Sequence, residues 1–177
     1  MPRCPFAVWK PITGSSGANT GGPFKFVHHT TEDHSAQDPF AAFRANRSDH
    51  HFTVDAMTIY QRIDTDQAAR ALRKAPGNVQ TNRVSTVQIE IVGFAHRPKT
   101  MATPKNVQKL CNWIESVHDV PKVWPNGPPK PAVNGHDPGG HNRNATNWDI
   151  KGGHYGHSQV PENTHWAPAI LPPNPPS

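Results

Sequence analysis

The chain has 177 residues, enough for one domain with a tail; 34 % are hydrophobic and only 18 % are charged. Pro 20, Gly 13 and His 12 fill the difference, which points to a compact core wrapped in long ordered loops and away from a disordered polyelectrolyte. The net charge of +5 favours anionic partners, but the sequence has no run of five Lys and Arg, no nucleic-acid-binding motif and no apolar stretch near the ~20 residues of a membrane span.

Residues 1–22 read as an irregular segment punctuated by Pro and Gly. No apolar run of signal-peptide length precedes Pro11, so the sequence predicts synthesis in the cytoplasm without such a leader. A β-prone run over 24–30 follows Gly22-Pro23; its alternation sets Phe24, Phe26 and His28 on one face and Lys25, Val27 and His29 on the other. A helix is predicted over 36–47, then two strands over 51–55 and 58–63 that pair as a hairpin. The Ala-rich stretch 64–72 predicts a short helix capped by Asp64 or Thr65.

The run 86–93 is the clearest strand, with Val87, Ile89 and Ile91 on one face and Gln88, Glu90 and Val92 on the other. The clearest helix spans 103–118. Thr103 caps it, Pro104 suits its first turn, and Val107, Leu110, Cys111, Ile114 and Val117 form one apolar stripe. Residues 121–153 read as one long Pro-, Gly- and Asn-rich loop, of the length that usually carries function. The end of the chain, 170–177, reads as a Pro-rich extended tail. Strands and helices mix without strict alternation. The predicted class is therefore α/β: one domain over 23–169, a central mixed sheet flanked by helices, and long Pro/Gly-rich loops. Cys4 and Cys111 cannot form a disulfide framework, and Cys111 on the helix stripe reads as a buried thiol.

The histidines collect at strand ends and in one loop: His28 and His29, His50 and His51, then His154, His157 and His165. Imidazole is the commonest metal ligand, and a catalytic zinc needs three protein ligands and an open position. His34, His96, His118, His136 and His141 read as ordinary surface or core imidazoles. Glu90 stands between Ile89 and Ile91, a poor place for a charge. It reads either as an outward, solvated carboxylate or as a general base whose pKa partial desolvation has raised.

Four segments in order carry a resemblance: Phe26-Val27-His28-His29-Thr30-Thr31-Glu32, His51-Phe52-Thr53-Val54-Asp55, Val87-Gln88-Ile89-Glu90-Ile91-Val92-Gly93 and Gly156-His157-Ser158-Gln159-Val160-Pro161. Together they resemble the type 2 N-acetylmuramoyl-L-alanine amidases, zinc enzymes that share a fold with peptidoglycan-recognition proteins. The resemblance implies a zinc cleft on one face of the sheet and hydrolysis of the amide between N-acetylmuramic acid and L-alanine in peptidoglycan. By the same resemblance His28 and His157 match the first two zinc ligands. Glu90 matches the residue that activates the metal-bound water, and His165 falls where a cation steadies the oxyanion. Tyr155, Trp166 and Arg70 are candidates for contacts to the glycan and stem peptide.

One position departs from the pattern. The family's third ligand is an Asp ten residues after the second His, and here that position holds Ala167, in Thr164-His165-Trp166-Ala167-Pro168. Alanine cannot bind metal. Either the Asp has been replaced, which predicts weak or absent zinc and an inactive form, or His165 serves as ligand. Replacement is favoured, because the Trp-x-Pro context is intact. A non-catalytic peptidoglycan-binding module is the main alternative function, and Glu90 argues against it. A His-Asn-His nuclease is disfavoured by the wide dispersal of the three site residues. The expected setting is a monomer acting on peptidoglycan after release or injection, as a phage endolysin beside a holin or as an antibacterial effector with an immunity protein; recycling of wall fragments in the cytoplasm is the third setting the sequence leaves open.

Overall fold

The computed structural model describes residues 2–12, 14–32, 34, 48–74, 79–96 and 102–164. In chain order its elements are β1 (Val8–Trp9), β2 (Gly17–Ala18), β3 (Lys25–Thr30), β4 (Phe52–Val54), β5 (Ile59–Gln61), β6 (Gln67–Ala68), β7 (Thr86–Ile91), α1 (Ala102–His118), α2 (Ala145–Ile150) and β8 (Gly153–Gly156). They form a single α/β domain around a mixed six-stranded sheet ordered β1-β5-β4-β7-β3-β8. Only β4 and β5 pair antiparallel; the other neighbours run parallel.

The neighbouring strands β3 and β7 have every residue buried, as expected of parallel strands covered on both sides. Their register matches His28 with Ile89 and His29 with Glu90. Side chains alternate, so the sheet has one apolar and one polar face. On the apolar face Phe26, Phe52, Val54, Val87, Ile89 and Ile91 meet Val107, Leu110, Cys111 and Ile114 of α1. Each fully buried aliphatic of this kind stabilises by roughly 1.5–3 kcal/mol. The stripe read from the sequence is the one buried, except that Val117, near the helix end, stays 40 % exposed. On the polar face Val27, Tyr155 and Val160 pack with Trp148 of α2 and with Leu72, while Lys25, His29, Gln88 and Glu90 are also buried there.

The hairpin over 51–63 forms as predicted, and its turn is fixed by Asp55, whose carboxylate accepts from the Met57 and Thr58 amides at 2.7 Å each. The helix predicted over 64–72 does not form. Gln67–Ala68 instead pairs antiparallel with Gly17–Ala18, His51 Nε2 donates to the Gln67 carbonyl at 2.8 Å, and the Arg70 amide donates to Asp49 O at 2.8 Å. Tertiary partners thus outbid a helix too short to persist by propensity. The irregular N-terminal segment also joins the fold, with β1 as an edge strand and Cys4 buried in the core. Both cysteines are free.

The long loop over 121–153 holds α2, capped by Asn144, whose side chain accepts from the Asn147 amide. Its first part runs along β8: the His154 amide donates to Val123 O at 2.8 Å, and Gln159 Nε2 donates to Gly127 O at 2.7 Å. Gly153 allows this approach. It has φ +131°, and a Cβ there would lie 2.6 Å from Val123 O. The predicted helix over 36–47 and the tail 170–177 lie outside the described residues. No helix among the described residues is long and apolar enough to cross a membrane.

Candidate functional site

Strand parity divides the histidines into two groups on opposite faces of the sheet. On the polar face, His29 at the end of β3 stands across from Glu90 on β7, with Nδ1 3.8 Å from Oε1. The ring of His157, just beyond β8, lies 4.4 Å from that of His29, centroid to centroid. The structure therefore brings Glu90 and His157 together, and the imidazole beside them is His29. His28, the sequence-based choice, points into the apolar face, because neighbouring residues of one strand face opposite ways.

The protonation of this group follows from its surroundings. Burial, reinforced by Glu32, pushes the Glu90 carboxyl well above the ordinary carboxylate range. Burial, with His157, His50 and His28 adding to it, holds His29 neutral. His50 lies buried in the same neighbourhood and bonds Thr53 Oγ1 at 2.8 Å; Thr53 is the register partner of Glu90 on β4. Burial, then the Arg62 charge, lowers its pKa to about 3.

Asn163 fixes the second imidazole. Its Nδ2 donates to Pro161 O at 2.8 Å and Arg73 O at 3.3 Å. Its Oδ1 accepts from the Arg73 amide at 2.9 Å and faces His157 Nε2 at 3.1 Å. An oxygen so placed accepts, so Nε2 of His157 carries the proton and Nδ1 carries the lone pair. This is the outer-partner arrangement that orients metal-ligating histidines. His29 Nε2 and Glu90 Oε2 are buried without a hydrogen-bond partner among the described residues. Unsatisfied buried donors and acceptors of this kind are costly, and a catalytic zinc needs a third protein ligand besides two imidazoles. His29 and His157 therefore offer two imidazole ligands to a divalent ion, with the Glu90 carboxyl beside them.

On the opposite face, His28 Nε2 lies 3.1 Å from His154 Nδ1, and His154 Nε2 lies 3.0 Å from Glu115 Oε1 of α1. Trp124 covers the pair, its ring 5.3 Å from His28 and 5.4 Å from His154. The Cys111 sulfur completes a buried group whose three ligand atoms lie within 4.8 Å of one another, and which could hold a metal ion.

The remaining sequence candidates fall as follows. Tyr155 is fully buried, packs edge-on against Trp148 at 5.0 Å and donates its hydroxyl to Asn147 O and Lys151 O. It belongs to the core and offers no face to a substrate. Arg70 is engaged in an ion pair with buried Asp49, so it braces the loop after β6. His165, Trp166 and Ala167 lie outside the described residues. Sequence reasoning passed over His29, Asn163 and the pairing of His154 with His28. The Lys25/Val27/His29 face held the signal for the first, since Glu90 occupies the face of β7 that meets it.

No protein-family profile and no curated protein sequence matches the chain. Solved structures do. The hydrolase AmiA of Staphylococcus aureus, in complex with its ligand, is similar with a TM-score of 0.63 at 13 % identity, over 94 % of this chain and 73 % of that one. AmpD is similar with a TM-score of 0.56 at 15 % identity, over 95 % and 90 %. The N-acetylmuramoyl-L-alanine amidase LysC of Clostridium intestinale gives 0.50 at 18 % identity, over 66 % and 78 %. At these identities the likeness establishes a shared fold.

Proposed function

We propose that the chain is a type 2 N-acetylmuramoyl-L-alanine amidase in design, hydrolysing the amide that joins the lactyl group of N-acetylmuramic acid to L-alanine in peptidoglycan. The observation that carries this reading is Glu90: a buried carboxyl with a raised pKa, 3.8 Å from His29 and on the same face as His157, in a fold shared with a solved amidase of that activity. The four-segment sequence resemblance supports it independently.

His29 Nε2 and His157 Nδ1 would hold the zinc ion, which, when bound, polarises the scissile carbonyl and acidifies a water. The protein's own part is proton handling and alignment. Glu90 accepts the proton of the attacking water and delivers it to the amide nitrogen. As the water oxygen bonds to the carbonyl carbon, the C–N bond breaks and L-alanine leaves as a neutral amine. A carboxyl whose pKa is raised by burial holds a proton more readily than an exposed one, which suits the delivery half of that transfer. Asn163 keeps His157 in one tautomer and orientation. His165 is proposed as the donor to the developing oxyanion, a role whose loss typically costs ~10²–10³ in rate.

Ala167 stands where the resemblance expects the carboxylate ligand, and it supplies no donor. The proposed consequence is weak zinc binding and little turnover in this chain. It also favours the second reading, a module that binds peptidoglycan without cutting it. Substitution Ala167→Asp separates the two. The amidase reading expects higher zinc content and release of new alanine amino termini from purified cell walls. Wall binding by the Asp form without any such release overturns it in favour of the module.

A further inference from the structure

The geometry points to a second, buried metal centre built from His28, His154 and Cys111 on the apolar face of the sheet, separate from the His29–Glu90–His157 group. It does not depend on the amidase reading.

The three residues come from β3, β8 and α1, and all are buried. Their ligand atoms converge, with the two imidazole nitrogens 3.1 Å apart and all three atoms within 4.8 Å. Tetrahedral zinc with bonds of about 2.0–2.3 Å sets its donors about 3.3–3.6 Å apart, so the nitrogens are already at ligand spacing and the sulfur closes by a small side-chain movement. His154 is oriented as a ligand would be. Its Nε2 meets Glu115 Oε1 at 3.0 Å, and a carboxylate there accepts the N–H and leaves Nδ1, the atom facing His28, with the lone pair. Glu115 follows Cys111 by one helical turn, so α1 delivers both the sulfur and the outer carboxylate from one face. Lys122 Nζ, 3.5 Å from Glu115 Oε2, balances that carboxylate. Trp124 shields the imidazoles from water.

A soft sulfur with two imidazoles selects a thiolate-binding transition ion, zinc above all, and excludes magnesium and calcium. Binding displaces the thiol proton, so the sulfur enters as thiolate. Such an ion clamps α1 to β3 and β8. Three protein ligands leave the fourth tetrahedral position to another small donor, and with all three residues buried under Trp124 the ion's role is to hold these elements together. The rival account is a plain hydrogen-bonded imidazole pair.

Cobalt(II) distinguishes them, because the His29–Glu90–His157 group has no sulfur. Metal-stripped full-length protein is titrated with Co²⁺ and followed by absorption. The expected result is a near-ultraviolet thiolate-to-cobalt charge-transfer band in the unmodified chain. It is retained in Cys4→Ser and in Glu90→Gln, and lost in Cys111→Ser and His154→Ala with about one equivalent less bound metal. Circular dichroism reports whether those variants fold. The unmodified chain decides the matter even if they do not: a folded protein that takes up cobalt without a thiolate band overturns the proposal. So does a band that survives in folded Cys111→Ser.

Discussion

His29 and Glu90 face one another across adjacent parallel strands, Nδ1 3.8 Å from Oε1, and both are almost wholly buried. Burial holds the imidazole neutral and raises the pKa of the carboxyl, so the carboxyl keeps its proton to a higher pH than an exposed carboxylate does. His28, one residue earlier, belongs to a different chemical environment altogether, under α1 and Trp124.

Glu90→Gln in the Ala167→Asp background is expected to lower wall hydrolysis by ~10²–10⁴-fold, the usual contribution of a general base. It should not destabilise the fold. The carboxyl binds its proton more tightly folded than unfolded, so the native chain loses stability as pH rises above the ordinary carboxylate value towards the raised one. Gln carries no such penalty. Melting temperatures of the two forms should therefore diverge in favour of Gln as pH increases, and parallel curves would refute a buried ionisable carboxyl.

His29→Ala and His28→Ala should behave differently although they are adjacent. In the Ala167→Asp background His29→Ala is expected to lose turnover and the zinc of the polar face. His28→Ala should lower stability by a few kcal/mol, as large-to-small core changes do, with hydrolysis per folded molecule retained. Reversed outcomes, read from cell-wall turbidity and denaturant melts, would return the catalytic assignment to His28.

Acid should unfold the chain early. Burial lowers the pKa of His50 to about 3 and of His51 to about 4. In the unfolded chain these groups take up protons near pH 6.5, so stability falls as pH drops below that value and continues to fall to the folded pKa values. At pH 5 each contributes a loss of about 2 kcal/mol relative to neutrality, from 1.36 kcal/mol per unit. Urea midpoints between pH 7.5 and 5 measure this, and a flat profile contradicts it.

Gly153→Ala should destabilise by at least ~1–3 kcal/mol, the scale of a strained backbone position. The glycine has φ +131°, and the added Cβ would meet Val123 O at 2.6 Å. Gly135, with φ +77° and open space around its Cβ position, serves as the comparison: Gly135→Ala should cost less. Equal melting temperatures for the two variants would show that the contact with Val123 yields freely.

The alternation of β7 and the stripe of α1 were readable in the sequence, because each is a local period imposed by one buried face. A mixed central sheet was readable from the same segments, but its two edge strands, β1 and β8, lie in stretches that read as irregular segment and loop. What was not readable is register. Whether His28 or His29 meets Glu90 depends on how two strands 61 residues apart align, and a shift of one residue exchanges the faces. The stretch 64–72 shows the converse failure: good helix formers were recruited as a strand and turn by partners at Gly17, His51 and Asp49. Cys111 was legible as a buried helix residue, but not as the neighbour of His28 and His154, because that meeting requires three elements to be docked together.

The strap from Val123 to Gly127 has one more effect. By taking up the outward amide of His154, and with Gln159 Oε1 accepting from the amide of Gly156 at 2.9 Å, it removes the open hydrogen-bonding row that a terminal strand would otherwise offer. Another chain cannot extend the sheet at that margin. The protein can thus reach high local concentration without templating its own fibrils from β8.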